Sequence, residues 1–265
     1  ARARAIVHRT RGRRHGPVTR LVSPGDVGQL IKPFVFLDLA SFQPGSAGFA
    51  MHPHSGIATL TFMMQGDVRY ADSTGQQGVL PAGGVEWMKA GSGVWHTGAP
   101  VGDVPGRGFQ LWVALPAALE NTPAESLYLA PSQVPQQGPA RVLLGQLGDA
   151  RSAIEAPAAM TYLSVQLKAG EAWRFTPPEG QTVAWMAVDA GELMAGEGVA
   201  AGELVVFEES QHPIEFVARS DASFVLGAAA PHPHALVTGA YSVHTSTAAL
   251  DEGERGIRRV AEQLR

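Results

Sequence analysis

Two histidines separated by one residue, His52 and His54 in Met51-His52-Pro53-His54, are the first residues of the chain whose types and spacing suggest chemistry. Side chains on a β-strand alternate faces with period two, so both imidazoles point to the same side. A third imidazole follows 42 residues later, His96 in Ala90-Gly91-Ser92-Gly93-Val94-Trp95-His96. Three imidazoles from two strands make half of an octahedral shell around a metal and leave positions open for a ligand. Short strand signals and glycine turns lie between them, as expected if they stand on adjacent walls of one barrel. The residues read as a metal pocket in a β-barrel.

The elements that must position them are legible as a rhythm. Ile31–Phe42 is a short apolar and aromatic run, a buried strand candidate. Pro44-Gly45-Ser46-Ala47-Gly48 turns the chain towards His52. β-prone stretches follow at Thr59–Met64, Val68–Tyr70, Val79–Leu80, Val85–Met88 and Gly108–Pro116, separated by Gln65-Gly66-Asp67, Asp72-Ser73-Thr74-Gly75, Pro81-Ala82-Gly83-Gly84 and Gly91–Gly93. Strands this short and evenly spaced indicate a sandwich or small barrel. Residues 117–139, rich in Pro, Gln, Ala and Ser, read as a connector. A second β-rich half is then expected, with strands at Ala140–Leu144, Met160–Leu167, Thr182–Val188, Gly191–Met194, Leu204–Phe207, Ile214–Ala218 and Ser223–Leu226. The shared rhythm suggests a duplicated barrel.

After Ser246-Thr247 the period changes. Leu250, Ile257, Val260 and Leu264 fall at helical spacing, which predicts one C-terminal helix over about 247–264. Asp251 and Glu252 are placed in its first turn and Arg258, Arg259 and Arg265 near its end, matching the helix dipole. Gly253 and Gly256 weaken it, so packing must hold it in place.

Composition bounds what such a chain can be. With 45% hydrophobic residues, 31 Gly, 19 Pro and only 17% charged residues, the 265-residue chain suits an all-β fold with tight turns. It has no cysteine, so disulfides and thiolate metal sites are excluded and any metal is held by nitrogen and oxygen. No apolar run approaches membrane-spanning length and no signal peptide is visible, so a soluble, cytoplasmic protein is expected. Residues 1–20 carry seven arginines (Arg2, Arg4, Arg9, Arg11, Arg13, Arg14, Arg20) and no acid, leaving about −11 on the remainder against −4 for the whole. A basic arm can bind nucleic acid. Here no aromatics interleave it and an acidic body would repel phosphate, so a strand-forming segment with a solvated face is the better expectation.

Several blocks together are similar to the pirin family. They are Met51-His52-Pro53-His54-Ser55-Gly56, Gln65-Gly66-Asp67, Asp72-Ser73-Thr74-Gly75, Glu86 through His96, and Gln110-Leu111-Trp112-Val113-Ala114-Leu115-Pro116, with Phe34-Val35-Phe36-Leu37-Asp38 upstream. Arg141–Gly145 and Gly239–Ser246 extend the likeness into the second half. The resemblance implies an all-β cupin-superfamily bicupin: two face-to-face β-barrels and a short C-terminal helix. The N-terminal barrel, residues 1–130 with the basic segment, would hold the metal; residues 131–265 would form a barrel without metal that ends in the helix. It also implies a metal of the iron type, Fe(II) first, with Ni, Cu, Mn or Zn compatible. The implied activity is that of quercetin 2,3-dioxygenase on a small aromatic or flavonol-like substrate; eukaryotic relatives are tied to redox-sensitive transcriptional co-regulation. A monomer is the family expectation.

The family's three metal-site histidines carry over onto His52, His54 and His96. Its glutamate does not: two residues after the third histidine stands Gly98, and a second usual glutamate position is Ala58. A three-histidine site is less electron-rich than one with a carboxylate, and it lacks the natural general base for a flavonol hydroxyl. Glu86 is the nearest alternative in sequence. His232-Pro233-His234 repeats the His-Pro-His wording, with His212 and His244 elsewhere in this half, but Pro231 and Pro233 make an extended loop the simpler reading. Ser164 and Gln166 are poor ligands at the matching place of the second barrel. Trp87, Trp95 and Trp112 are expected to pack the barrel, and Asp67 and Asp72 to serve turns. Three functions are therefore carried forward: a metal-dependent oxygenase, a catalytically inactive pirin-like sensor or regulatory protein with a protein partner, and a metal-free ligand barrel.

Overall fold

The computed structural model describes residues 3–264; Arg2 of the basic arm and Arg265 at the helix end lie outside them. The described chain is built of β-strands with two α-helices, Gly28–Ile31 and Thr247–Gln263, and its internal contacts divide it into two units. One unit comprises residues 14–29, 33–133 and those from His232 onward; the other comprises the residues up to Arg13, 30–32 and 134–231. A simple cut near residue 130 does not describe this division. The strand Ile6–Thr10 pairs antiparallel with Leu204–Phe207, where it covers an edge that would otherwise offer unpaired backbone groups. The C-terminal helix packs instead beside the strand Val94–Val101.

In the histidine-bearing unit a seven-stranded antiparallel sheet runs in the order Glu125–Leu129, Val85–Lys89, Ile57–Gln65, Gly106–Ala114, Phe34–Phe42, Val18–Val22, Arg13–His15. A four-stranded sheet runs Phe49–His54, Val94–Val101, Asp67–Asp72, Gln77–Leu80. Val35, Ile57, Met88, Val94 and Ala114 are buried together in one core cluster, the return expected from alternating apolar residues. The run expected from Ile31 starts as a strand only at Phe34, because Gly28–Ile31 form a short helix. Residues 117–139 are more than a connector: Glu125–Leu129 is an edge strand on Val85–Lys89, and its mostly solvated residues hide it from a hydrophobic count.

The other unit repeats the plan. Its larger sheet runs Ile6–Thr10, Leu204–Phe207, Val183–Ala190, Ala222–Ala229, Met160–Leu167, Ala140–Leu144, Gln136–Gln137, and its smaller one Ala172–Phe175, Ile214–Ala218, Glu192–Ala195, Glu197–Ala200. The two orders correspond strand for strand, as in a duplicated barrel. The counterpart of the His52–His54 strand is therefore Ala172–Phe175, not the strand of Ser164 and Gln166. At that place Trp173 and Phe175 pack with Phe216 and Phe224. Two arginines of the arm are engaged in this unit: Arg9 pairs with Glu197 at 3.0 Å, and buried Arg4 donates to the Glu208 carbonyl at 2.7 Å.

Helix Thr247–Gln263 is capped by Ser246, whose Oγ accepts from Ala249 N at 3.1 Å. Because it starts at Thr247, Asp251 and Glu252 fall in its second turn, and no basic residue occupies its last turn. Matching of charge to the dipole does not hold it. Its two glycines do: Gly253 and Gly256 are its buried residues, and a Cβ at Gly256 would lie 1.6 Å from the Ser92 carbonyl oxygen.

Candidate metal centre

His52 and His54 end the strand Phe49–His54, and His96 sits on its neighbour Val94–Val101, with His96 directly opposite His52 and Val94 opposite His54. Strand alternation sends all three rings into one cavity of about 280 Å³. One ring nitrogen of each lies within 4.8 Å of the others, and this is the only such group of three or more His or acidic side chains found among the described residues. Nε2 of His96 and Nε2 of His52 are 2.9 Å apart.

The tautomers follow from the backbone. His52 Nδ1 is 2.7 Å from the Ala50 carbonyl and His54 Nδ1 is 2.9 Å from the Tyr241 carbonyl. A carbonyl only accepts, so each Nδ1 carries the proton and each Nε2 presents a lone pair. His54 Nε2 is buried and has no hydrogen-bond partner. Burial, then the neighbouring His96, holds the pKa of His52 below the ordinary 6.5, against its bond to Ala50 and the charge of Glu86. The same causes hold His54 well below it. Both are neutral donors at neutral pH.

Glu86 enters the cavity from the strand Val85–Lys89. It is buried, its Oε1 lies 3.5 Å from His96 Nδ1, and that oxygen makes no hydrogen bond. A carboxylate on the Nδ1 side leaves Nε2 of His96 as the inward donor, the arrangement that orients metal-binding histidines. The sequence places Glu86 ten residues before His96 but leaves open which way its strand turns it. Gly98 also lines the cavity, whereas Ala58 is fully buried outside its wall. A Cβ at Gly98 would meet only Val68 Cγ1 at 3.4 Å and the Arg69 carbonyl oxygen at 4.0 Å.

The residues fit a divalent metal of the borderline kind. A buried, unpartnered Nε2 is costly unless something binds it. Two nitrogens 2.9 Å apart have the separation of adjacent ligands at about 2.1 Å from a common ion. Three imidazoles with a carboxylate behind one of them suit iron, nickel, copper or zinc.

The cavity walls are aromatic. Trp112 stacks on Phe36 with centroids 4.0 Å apart and stands edge-on to His54 at 4.8 Å, so it lines the site and does not merely pack the barrel. Trp95, one residue from His96, faces the other way, where its Nε1 donates to the Ile257 carbonyl at 3.0 Å. Arg20 lies 3.9 Å over the Phe36 ring and pairs through its Nε and Nη2 with the two oxygens of Asp38. Burial lifts the Asp38 carboxyl above 3.8 although Arg20 opposes it. Phe49 and Tyr241 are partly exposed in the cavity wall. Asp72 serves its turn through Thr74 N at 2.7 Å, and it also accepts from Tyr128 Oη at 2.7 Å. His232 and His234 do not join the group: His232 Nε2 donates to the Leu115 carbonyl at 3.3 Å while its Nδ1 accepts from His234 N, which braces the loop.

Comparison with known proteins decides the family. The sequence profile of the family described as Pirin matches residues 16–113. A Pirin-like protein of Caulobacter vibrioides is 33% identical over 209 residues, covering 71% of this chain and 73% of that protein. The chain belongs to the pirin family. A further relative, from Pseudomonas aeruginosa and provisionally named a quercetin 2,3-dioxygenase, is 30% identical over 231 residues, 79% of each chain. This pirin also shares its fold with a solved quercetin 2,3-dioxygenase from Acinetobacter baumannii, with a TM-score of 0.83 at 24% identity, covering 98% of this chain and 96% of that one. The nickel(II) complex of the pirin YhhW from Escherichia coli aligns with a TM-score of 0.68 at 20% identity, covering 87% and 99%. The bicupin fold expected from the resemblance is thus the fold of the chain. No described helix is long and apolar enough to cross a membrane.

Proposed function

We propose that this pirin is a metal-dependent dioxygenase of the quercetinase kind, its metal held by His52, His54 and His96. The observation that carries the reading is the buried Nε2 of His54, which has no hydrogen-bond partner beside two further imidazoles. Fe(II) is the metal of the proposal; the nickel(II) bound by YhhW makes Ni(II) the first alternative. The relatives named for quercetin 2,3-dioxygenase support a flavonol-like substrate.

A divalent metal bound there would polarise substrate oxygens and provide the centre at which dioxygen is used. The chain's own residues do the rest. Trp112 and Phe36 give a flat aromatic wall against which a planar ring system stacks. Glu86 takes the part the family gives to a glutamate at position 98: its Oε1, 3.5 Å from His96 Nδ1 and without a hydrogen bond of its own, is a base for a phenolic proton within the cavity. Phe49 and Tyr241 add two further aromatic side chains to the wall.

The deciding measurement is metal content by plasma mass spectrometry on the protein purified without chelator, with His52→Ala, His54→Ala and His96→Ala beside it. Near-stoichiometric metal in the parent, lost in the variants, together with oxygen uptake on a flavonol, is the expected result. No metal after reconstitution with ferrous iron overturns the reading. Gly98 favours a second one, a pirin-like sensor or regulatory protein that binds metal without turnover and acts on a protein partner; metal without oxygen uptake would select it.

A further inference from the structure

Behind the histidine cluster, and absent from the chemistry above, lies a second buried polar chain. Ser55, His244 and Glu120 are each at most 3% exposed. Ser55 Oγ is 2.9 Å from His244 Nε2, and His244 Nδ1 is 3.1 Å from Glu120 Oε2. Ser242 Oγ lies 2.8 Å from Ser55 Oγ. A neutral imidazole has one donor and one acceptor nitrogen and a carboxylate only accepts, so His244 Nδ1 donates to Glu120 and its Nε2 faces Ser55 Oγ as an acceptor. Glu120 also accepts from Thr245 N at 2.7 Å and Thr245 Oγ at 2.6 Å.

A serine, a histidine and an acid in this order resemble a hydrolytic triad, but this one has no room for a substrate. A Cβ at Gly253 of the C-terminal helix would lie 2.5 Å from both His244 Nε2 and Ser55 Oγ, so the helix backbone closes directly over it. What the chain does is join two segments. Ser55 follows His54, and it forms a parallel bridge with Ser242, with Val243 N donating to the Ser55 carbonyl at 3.3 Å. Tyr241, whose carbonyl accepts from His54 Nδ1, precedes Ser242. Gly56, at φ 75°, lets the two segments approach so closely that a Cβ there would meet the Val243 carbonyl oxygen at 2.0 Å.

We propose that the Ser55–His244–Glu120 chain is a positioning device for His54: it clamps the segment of Tyr241 so that its carbonyl keeps the proton on His54 Nδ1 and leaves Nε2 as the donor. Its metal consequence rests on the reading of His54 as a ligand; its tautomer consequence does not. Ser55, His244 and Glu120 are positioning residues, since none of them faces the cavity.

The test uses the full chain with ¹⁵N-labelled histidine and the variants Ser55→Ala and Glu120→Gln. Long-range ¹H–¹⁵N spectra of the metal-free protein are expected to show His54 as the Nδ1–H tautomer in the parent and as a mixture in the variants, with His52, held by Ala50, unchanged as the internal reference. Ni(II) titration is expected to show affinity reduced by about tenfold to a hundredfold, the range for lost outer partners of ligating histidines. A pure Nδ1–H tautomer of His54 in the variants, with only the unfolding temperature lowered, overturns the proposal and leaves the chain as packing alone. If the parent takes up no Ni(II), the metal reading fails while the spectra still decide the clamp. Should Glu120→Gln not fold, Ser242→Ala removes only the first hydroxyl and is read in the same way.

Discussion

Nε2 of His52 and Nε2 of His96 stand 2.9 Å apart on directly opposed positions of two paired strands. Strand pairing brings their Cα atoms together, and the Nδ1 partners then turn the lone pairs towards one another. For His52 that partner is the carbonyl of Ala50, two residues back on the same strand. For His96 it is Glu86, from a different sheet. The short contact between two acceptors thus results from groups that act from outside, and a cation between them would relieve it.

Glu86→Gln separates charge from shape. The amide still offers an oxygen to His96 Nδ1, so the ring keeps its place while the negative charge behind it disappears. Metal affinity measured by competition with a chelating dye should fall by about tenfold, and Glu86→Ala, which removes both, should lie nearer a hundredfold. Equal affinities across parent and both variants would show that Glu86 has no part in holding the metal.

Gly98→Glu tests the other carboxylate position. The glycine lines the cavity, and a Cβ there has 3.4 Å to its nearest neighbour, so the side chain enters without displacing backbone. A fourth ligand should raise metal affinity by about tenfold, equivalent to about 1.4 kcal/mol. If the cavity takes no metal, the same titration will not respond to the substitution.

Much of this site is legible in the sequence. Period-two alternation alone puts His52 and His54 on one face, and the turn-punctuated stretch to His96 makes a neighbouring strand the natural place for the third ring. Glu86 is not decidable there, because its direction depends on a register between strands that pattern does not specify. Trp112, expected to pack the barrel, lines the cavity for a related reason: an aromatic on a barrel strand looks the same whether its face meets the core or a cavity. The Ser55–His244–Glu120 chain has no sequence signal at all, since its members are 65 and 124 residues apart and meet only through the return of the C-terminal segment. The pairing of Ile6–Thr10 with Leu204–Phe207 is likewise invisible, because edge pairing is decided by which strand lacks a neighbour.

Acid should loosen the metal-free protein through His244. Burial lowers its pKa below 6.5 despite the opposing pull of Glu120, Glu252 and Glu254. In the unfolded chain the ring takes up a proton at about 6.5, so below that pH the unfolded state binds more protons and stability falls as pH drops towards the folded pKa. The contribution is complete above 6.5 and is limited to about 1.4 kcal/mol per pH unit. Urea unfolding at pH 7.5, 6.5 and 5.5 should therefore show a shallower acid decline for His244→Gln than for the parent. His54 and His52 share the sign, so the difference between the two proteins, not the slope of either, isolates His244.

The helix glycines give a prediction whose sign opposes local propensity. In an exposed helix, replacing glycine by alanine adds about 1 kcal/mol. Gly256 is buried, and its added methyl would sit 1.6 Å from the Ser92 carbonyl oxygen, a backbone atom of the turn that leads into the His96 strand. That turn cannot give way without moving Val94 and Trp95, whose indole donates to Ile257 of the same helix. Gly256→Ala should lower stability by about 1–3 kcal/mol, the usual cost of overpacking. Because the displaced segment carries His96, metal affinity should fall with it. A variant as stable as the parent in denaturant unfolding would mean that the helix is held elsewhere and that its glycines are tolerated, not required.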